Sequence, residues 1–274
     1  MANIAFIGSG NMASAILGGL INNGTSPKNI WACDPSEEKL NQLNAQFGVN
    51  VETQNKKAIA VADVVILSVK PQVMEQVIAP LKATLEEKRP LIISVAAGIN
   101  LYSLNAWCGA QQAIVRCMPN TPALVGKGAS GLFANEHVSE EQRALSESIL
   151  DAVGMSVWVN TEDELDIVTA ISGSGPAYYF LFMEAMTAAG EAMGLSAETS
   201  EALVLQTALG AATMASESDL PAAQLRKNVT SPNGTTEQAI LSFQNNGLES
   251  LVAKAMEAVR RRSHELAEEL GEKP

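Results

Sequence analysis

The stretch Ile4-Ala5-Phe6-Ile7-Gly8-Ser9-Gly10-Asn11-Met12-Ala13 decides the fold. Its apolar start predicts a strand, and the pattern over residues 11–22 predicts an amphipathic helix directly after two glycines. The spacing fits G-x-G-x-x-G/A. In such a turn the first glycine permits the bend, the second lets the backbone approach a pyrophosphate, and a small third residue lets helix pack on strand. The free N–H groups at the helix start suit an anion, so this context favours a dinucleotide site over a glycine turn that binds nothing.

Outward from this stretch, short apolar runs alternate with helical patterns. Further strands are predicted at residues 30–33, 63–69, 91–95 and 114–117. A helix is predicted from Ser36 to Phe47, with Ser36 as its N-cap and acidic residues in its first turn. The run at 63–69 is largely β-branched, which is typical of a strand buried on both faces of a parallel sheet. Residues 1–160 therefore read as an α/β, Rossmann-like, doubly wound dinucleotide-binding domain.

From about residue 160 the pattern becomes purely helical. Thr161 resembles an N-cap with an acid three residues later, and it opens a helix interrupted at Gly173-Ser174-Gly175-Pro176. Segments 178–193 and 199–215 are apolar around much of their circumference, so they need cover on several sides. In a domain of this size that cover is a second subunit. Residues 161–274 are therefore predicted to form an all-helical dimerisation domain, and the hydroxyl-rich segment at 229–237 within it adds substrate binding.

Composition excludes several classes of function. The chain has 274 residues and a net charge of -12, and residues 144–225 hold 12 acidic residues and no basic one. This distribution argues against a nucleic-acid partner, whose backbone needs Lys and Arg. The N-terminus lacks the basic start of a signal peptide, and the apolar windows are too short for a membrane span. Three cysteines and two histidines favour a cytoplasmic protein without disulfides or a bound metal.

The second predicted strand ends near Asp34, where an acid can accept the ribose 2′-hydroxyl and favour NAD over NADP. An equally good interpretation is that Asp34-Pro35-Ser36 is a turn that starts the next helix. Ser36 and Lys39, one turn into that helix, could instead meet a 2′-phosphate. The sequence leaves these alternatives open.

Three more strand ends carry cofactor-binding candidates. Ser68-Val69-Lys70-Pro71 follows the most apolar strand, where cofactors lie in such sheets, although Lys70 could be an ordinary solvated lysine. Ala96 and Ala97 are small enough to let a flat nicotinamide approach the backbone. Asn120 lies between two prolines, where capping of its own turn is the commoner role.

The most unusual segment of the helical half is Val229-Thr230-Ser231-Pro232-Asn233-Gly234-Thr235-Thr236-Glu237. Hydroxyl residues and a glycine turn directly precede a helical pattern at 237–243. The N–H groups of that helix start form a pocket of the size of a carboxylate. The alternative is that Thr235 or Thr236 simply caps the helix.

With these motifs in view, the chain resembles pyrroline-5-carboxylate reductase over essentially its full length. The resemblance rests on the segments Phe6-Ile7-Gly8-Ser9-Gly10-Asn11-Met12, Val69-Lys70-Pro71, Ala96-Ala97-Gly98, Arg116-Cys117-Met118-Pro119-Asn120-Thr121-Pro122, Ser172-Gly173-Ser174-Gly175-Pro176-Ala177 and 225–236. The last three are specific to the family, whereas many dehydrogenases share the first. Two positions depart from the family pattern. Asn233 stands where glycine is usual, but asparagine tolerates a left-handed backbone, and Asp34 replaces a small hydroxyl residue or Asn.

The resemblance implies reduction of 1-pyrroline-5-carboxylate to L-proline by hydride transfer from NADPH, with NADH left open. It also implies a dimer of interlocked C-terminal helices that can assemble into a decamer. Thr236 would be the catalytic group that donates to the ring nitrogen. The substrate-binding candidates are Val229, Thr230, Ser231, Gly234, Thr235, Thr236, Ser174 and Pro176. The cofactor-binding candidates are Gly8, Ser9, Gly10, Asn11, Met12, Asp34, Ser36, Asn55, Ser68, Val69, Lys70, Pro71, Ala96, Ala97 and Asn120.

Two rival functions fit less well. A β-hydroxyacid dehydrogenase needs a lysine on the first long helix after the sheet, and residues 144–225 contain none. A catalytically silent dinucleotide sensor has no use for the hydroxyl-rich segment at 229–236. The sequence therefore favours an imine reductase.

Overall fold

A computed structural model of the chain describes residues 2–271 and shows an eight-stranded mixed sheet. Its strands are β1 (Ile4–Ile7), β2 (Ile30–Cys33), β3 (Asn50–Glu52), β4 (Val64–Leu67), β5 (Leu91–Ser94), β6 (Ile114–Met118), β7 (Gly128–Ala134) and β8 (Gly154–Trp158). The order is β3-β2-β1-β4-β5-β6-β7-β8. The first six strands run parallel, β7 pairs antiparallel with β6, and β8 is parallel to β7. The predicted Rossmann-like, doubly wound architecture is confirmed.

Helices cover both faces of this sheet. They are α1 (Asn11–Asn22), α2 (Glu37–Phe47), α3 (Asn55–Val61), α4 (Met74–Ile78), α5 (Lys82–Lys88), α6 (Leu101–Cys108) and α7 (Glu140–Asp151). Alternate residues of a strand face opposite sides, so Phe6 packs into one core layer and Ile7 into the other. The buried β-branched strand β4 contributes to both layers in the same way.

Three strands were missed by the sequence analysis. β3 has only three residues, β7 contains two glycines, and β8 contains Gly154 and Ser156 among its five residues. Glycine is depleted in strands, and the partly exposed β8 lies at the edge of the sheet. The predicted strand at 63–69 was too long at both ends, because β4 pairs with β1 only from Val64 to Leu67 and Asp63, Ser68 and Val69 lie outside that pairing.

The remaining helices are α8 (Glu164–Val168), α9 (Gly175–Ala192), α10 (Ala197–Glu217), α11 (Ala222–Asn228), α12 (Thr235–Asn245) and α13 (Leu248–Leu270). The predicted interruption is confirmed, since a π-helical turn at Thr169–Gly173 separates α8 from α9. The predicted N-cap at Thr161 was wrong. α8 begins without a side-chain cap, and the Glu164 carboxylate instead accepts the Asn160 N–H at 2.7 Å.

The chain divides into two compact units, one formed by residues up to Ser174 together with those from Ala258 onward, the other by Gly175–Glu257. Residues 161–174 and the end of α13 therefore pack with the sheet. The Ser263 hydroxyl on α13 donates to Asp166 at 2.6 Å, and Leu270 packs against the core layer that contains Ile7.

The unit Gly175–Glu257 exposes large apolar side chains. Four of them are each more than half exposed: Phe180, Leu181, Leu205 and Leu209. Within the unit, the ring centroids of Phe182 and Phe243 lie 5.9 Å apart. Large exposed apolar patches mark interaction sites, and these side chains are candidates for one. The helical, apolar character predicted for this region is confirmed.

Cys33, Cys108 and Cys117 are free and buried. Burial raises the pKa of each thiol to about 12, with a smaller contribution from the Glu52 carboxylate at Cys33. These thiols therefore stay protonated near neutral pH and are poor nucleophiles. In the described part of the chain, every helix is too short or too polar to cross a bilayer.

Candidate active site

Gly8 is required by the fold itself. Its φ of +99° disfavours any residue with a side chain, and its N–H donates to the Cys33 carbonyl at 2.8 Å. A Cβ at this position would lie 2.8 Å from the carbonyl carbon and oxygen of Ser68. The close approach of β1 and β4 at their carboxyl ends therefore depends on this glycine.

Gly10 is a glycine for a different reason. Its φ of -83° and ψ of -174° are open to any residue, and an added Cβ would meet no atom within 4 Å. It is the N-cap of α1, which starts without a side-chain cap, so no capping side chain occupies the first N–H groups of the helix. This cradle fits the pyrophosphate of a dinucleotide.

Asp34 is buried at the end of β2, and both oxygens of its carboxylate bind the protein. One accepts the Ser36 N–H at 3.0 Å, as in the predicted helix-entry turn, and the other accepts the Ser9 N–H at 3.2 Å. The Nζ atom of Lys39 lies 3.7 Å from this second oxygen. The Ser36 hydroxyl accepts the Lys39 N–H as the N-cap of α2, which confirms the predicted cap.

Ser68 stabilises the glycine turn. Its hydroxyl donates to the carbonyl oxygens of Ile7 at 3.2 Å and Gly8 at 2.8 Å. Beside it, Lys70 is exposed and precedes a 3-10 turn at Pro71–Val73. Ser68, Val69, Lys70 and Pro71 thus lie at the carboxyl edge of the sheet, next to the cradle at Gly10.

The loop after β5 brings small residues to the same edge. Ala96 is buried, and Gly98 has a φ of +71°. A Cβ on Gly98 would lie 3.3 Å from the Leu266 Cβ, so the end of α13 packs directly on this loop. The side chain of Asn120 spans two elements, accepting the Ala129 N–H at 2.9 Å and donating to the Ser172 carbonyl at 3.0 Å.

The other cofactor candidates lie near helix starts. Ser9 is buried within the glycine turn, whereas Asn11 and Met12 open α1, with Met12 packed against the core. Asn55 is the first residue of α3, after β3. These positions all belong to the compact unit that contains the sheet.

The hydroxyl-rich segment at 229–237 forms a turn that ends in α12. Asn233 adopts a φ of +59°, so asparagine does take the left-handed backbone there, as predicted. Its N–H donates to the Glu237 carboxylate at 2.7 Å, and the Gly234 N–H donates to the Ser231 carbonyl at 3.0 Å. These bonds tie the turn to the first turn of the helix.

The threonines do not cap α12. Gly234 is the N-cap, without a side-chain hydrogen bond to the helix, and Thr235 and Thr236 are the first two helical residues. Both are exposed, as are Val229 and Ser231. The hydroxyl of Thr230 instead donates to the Arg226 carbonyl at 2.6 Å. The uncapped N–H groups of α12 and the Thr236 hydroxyl thus remain accessible to a ligand.

Ser174 and Pro176 lie at the interruption between α8 and α9. Ser174 is partly buried and its N–H donates to the Thr169 carbonyl at 2.8 Å, which closes the π-helical turn. Pro176 is the second residue of α9, where the missing N–H costs no helical bond. Their predicted roles toward substrate stay predictions.

Sequence reasoning gave Glu162 no role, yet its carboxylate pairs with Arg116 on β6 at 2.5 Å and accepts the Leu101 N–H at 2.6 Å. A signal was present, since an arginine inside an otherwise apolar strand needs a partner. Within residues 2–271, no group of three or more His, Cys, Asp or Glu side chains is placed to hold a metal ion.

Comparison with known proteins places both halves of the chain. Residues 162–266 match the family model described as pyrroline-5-carboxylate reductase dimerisation, and residues 3–98 match that of the coenzyme F420-dependent NADP oxidoreductases. The pyrroline-5-carboxylate reductase of Pseudomonas aeruginosa is 54% identical over 98% of each chain, and that of Vibrio alginolyticus is 46% identical over 96% of this chain and 97% of its own.

Solved structures agree with these relatives. A pyrroline-5-carboxylate reductase from Coxiella burnetii superposes with a TM-score of 0.94 at 47% identity, covering 97% of this chain and 98% of its own. The Plasmodium falciparum pyrroline carboxylate reductase with NADP bound superposes with a TM-score of 0.85 at 33% identity, with the same coverage of both chains.

Proposed function

This chain belongs to the pyrroline-5-carboxylate reductase family, and on that premise we propose that it reduces 1-pyrroline-5-carboxylate to L-proline, the final step of proline biosynthesis. The observation that carries the proposal is that α1 and α12, two of the helices that start without a side-chain cap, each begin directly after a turn predicted to bind a ligand. One, at Gly10, lies behind the glycine turn, and the other, at Gly234, lies behind the hydroxyl-rich turn. They suit the cofactor's pyrophosphate and the substrate's carboxylate.

The chemistry requires little beyond orientation. When bound, a reduced nicotinamide would supply the hydride for the carbon of the C=N bond, and the ring nitrogen would take up one proton. Because the nitrogen of a cyclic imine is readily protonated near neutrality, a hydroxyl can serve as the donor, and a strong acid or a metal is unnecessary. The N–H groups of α12 hold the carboxylate, and the Thr236 hydroxyl donates to the ring nitrogen, which fixes the face that receives the hydride. We assign further substrate contacts to Val229, Thr230, Ser231, Gly234 and Thr235, and to Ser174 and Pro176.

A direct assay tests this function. Purified protein is mixed with 1-pyrroline-5-carboxylate and NADPH or NADH. The absorbance of the reduced cofactor is expected to fall, and one proline should form for each cofactor oxidised. Absence of both changes with either cofactor contradicts the proposed reaction. Cofactor consumption without proline formation also contradicts it, because the hydride would then be going to another acceptor.

We propose NADPH as the preferred cofactor, with NADH as a usable second one. Lys39 and the Ser36 hydroxyl lie at the start of α2, beside the carboxylate of Asp34. Lys39 can pair with the 2′-phosphate of NADPH instead of with Asp34. The 2′-hydroxyl of NADH can instead donate a hydrogen bond to Asp34. Lys39 therefore favours NADPH, whereas the carboxylate of Asp34 favours NADH.

Replacing Lys39 by glutamine is expected to lower kcat/KM with NADPH about tenfold and to leave kcat/KM with NADH within about twofold. Asp34→Asn should shift the ratio the other way, because it removes a negative charge from the phosphate site. Lys28→Gln is the matched control, since Lys28 precedes β2 at the opposite edge of the sheet. Equal losses with both cofactors in Lys39→Gln would contradict the assignment.

We further propose that residues 1–160 bind the cofactor and that residues 161–274 provide substrate binding and dimerisation through α9 and α10, as a dimer that can assemble into a decamer. The exposed apolar side chains of these helices support it. Light scattering at micromolar concentration should give at least the dimer mass, and a monomer would contradict the proposal.

We place the enzyme in the cytoplasm, with neither nucleic acid nor membrane as a partner.

A further inference from the structure

The geometry points to Glu162 as a positioning residue that fixes the loop at residues 95–100 and so controls the affinity for the cofactor. This inference rests on the proposed function, which places the nicotinamide at Ala96 and Ala97. Glu162 itself lies beyond the last strand, between β8 and α8, and belongs to the same compact unit as the loop.

The contacts of Glu162 link three separate parts of that unit. One carboxylate oxygen, Oε1, accepts two hydrogen bonds. The donors are the Leu101 N–H, at 2.6 Å, and Nη1 of Arg116, at 2.5 Å. Leu101 is the first residue of α6, directly after the loop, and Arg116 lies on β6. Hydrogen bonds to ionised groups are about twice as strong as neutral ones. The carboxylate also suits the positive end of α6.

The pair is partly shielded from water. The Arg116 side chain is 12% exposed and that of Glu162 28%, so their attraction is screened less than that of a fully exposed pair. Ser94 lies opposite Arg116 in the register of β5 and β6, and Ser94 is the last residue of β5 before the loop. Glu162 therefore holds the helix into which the loop runs, next to the strand from which the loop leaves.

The rest of the loop is held mainly by packing. The Val95 N–H donates to the Leu67 carbonyl at 3.1 Å, and Gly98 packs against Leu266 of α13. Asn100 caps its own helix by accepting the Ser103 N–H at 2.9 Å, which orders α6 but does not join it to β6. The bond from Leu101 to Glu162, which also holds Arg116, adds a hydrogen-bonded connection to the packing of Leu101 in the core layer that contains Ile7.

The consequence for cofactor binding follows from geometry. Ala96 and Ala97 can admit a flat ring only if their backbone stays at a fixed height above the edge of the sheet. A displacement of about 1 Å is enough to disturb a reacting pair. Loss of the Glu162 carboxylate removes the acceptor of the Leu101 N–H and loosens the start of α6, so the loop loses its fixed position.

The test compares four variants with the wild type, using NADPH fluorescence titration, steady-state kinetics and thermal melting. Glu162→Ala is expected to raise the Kd and KM for NADPH about tenfold while the KM for 1-pyrroline-5-carboxylate stays within about twofold. Glu162→Gln keeps an acceptor for the Leu101 N–H and should stay within about threefold of wild type. Arg116→Met leaves Glu162 on Leu101 and should also stay within about threefold. Asp163→Ala, an exposed neighbour, is the matched control.

Three results would each overturn the inference: an unchanged NADPH Kd in Glu162→Ala, an equal loss in Glu162→Gln, or an equal loss in Arg116→Met. If Glu162→Ala melts too low to be assayed, Glu162→Asp replaces it, since the shorter side chain withdraws the carboxylate and should raise the NADPH Kd in the same way. The wild-type arm separates the two proposals. A wild type that binds NADPH and forms proline upholds the proposed function whatever the variants do, whereas one that does neither refutes the function itself.

Discussion

Thr236→Ala is expected to lower kcat with 1-pyrroline-5-carboxylate by about 100-fold to 1000-fold, the range typical of losing a positioned proton donor. Thr236 is the second residue of α12 and is exposed, and Gly234, not a threonine, holds the capping position. The hydroxyl is therefore not needed to start the helix. Its removal should change the reaction rate and leave the melting temperature almost unchanged.

Thr236→Ser provides the sharpest control, because it retains the hydroxyl and should recover most of the rate. Thr213→Ala is a matched change elsewhere in the same unit, where the hydroxyl donates to the Leu209 carbonyl. It should have wild-type kinetics. If Thr236→Ala keeps the wild-type kcat, the role assigned to this hydroxyl is wrong, although the proposed reaction itself would stand.

Gly10→Val is expected to raise the KM for NADPH by about 100-fold or more while the protein still folds. The backbone angles of Gly10 suit any residue, and an added Cβ meets nothing within 4 Å. The new side chain would project into the space assigned to the pyrophosphate. Valine is a weak N-cap, but glycine is only a moderate one, so the free energy of unfolding should fall by about 1 kcal/mol at most.

Gly8→Ala serves as the contrasting variant. Its Cβ would collide with the Ser68 backbone at a φ of +99°, so this variant should lose thermal stability even without cofactor. Calorimetric melting and NADPH titration of both variants separate the two effects. Wild-type affinity for NADPH in Gly10→Val would show that the pyrophosphate does not bind at this turn.

The strongest local patterns predicted the fold well. β1, α1 and β2 begin and end at the predicted residues, because glycine or polar residues bound each of these segments. β7 was not predicted because its glycines are explained only by close packing against other elements. A Cβ at Gly131, for example, would lie 2.8 Å from the Val168 side chain. Such contacts join residues far apart in the chain, and a local pattern contains no information about them.

The candidate site shows the same division. The left-handed backbone at Asn233 could be predicted from the preference of asparagine, and the structure confirms it. The contacts of Asp34 and Asn120 could not, because the N–H groups of Ser9 and Ala129 come from other elements. For the same reason Glu162 went unnoticed: its two partners, Leu101 and Arg116, come from distant parts of the sequence.

The glycine turn has a thermodynamic consequence for the binding of its ligand. Bonds within the chain already fix it, from the Gly8 N–H to Cys33, from the Ser9 N–H to Asp34 and from the Ser68 hydroxyl to Gly8. The conformational entropy of ordering this segment is therefore lost during folding and not again on binding. A dinucleotide at 100 times its Kd would stabilise the folded protein by about 2.7 kcal/mol without reshaping the turn.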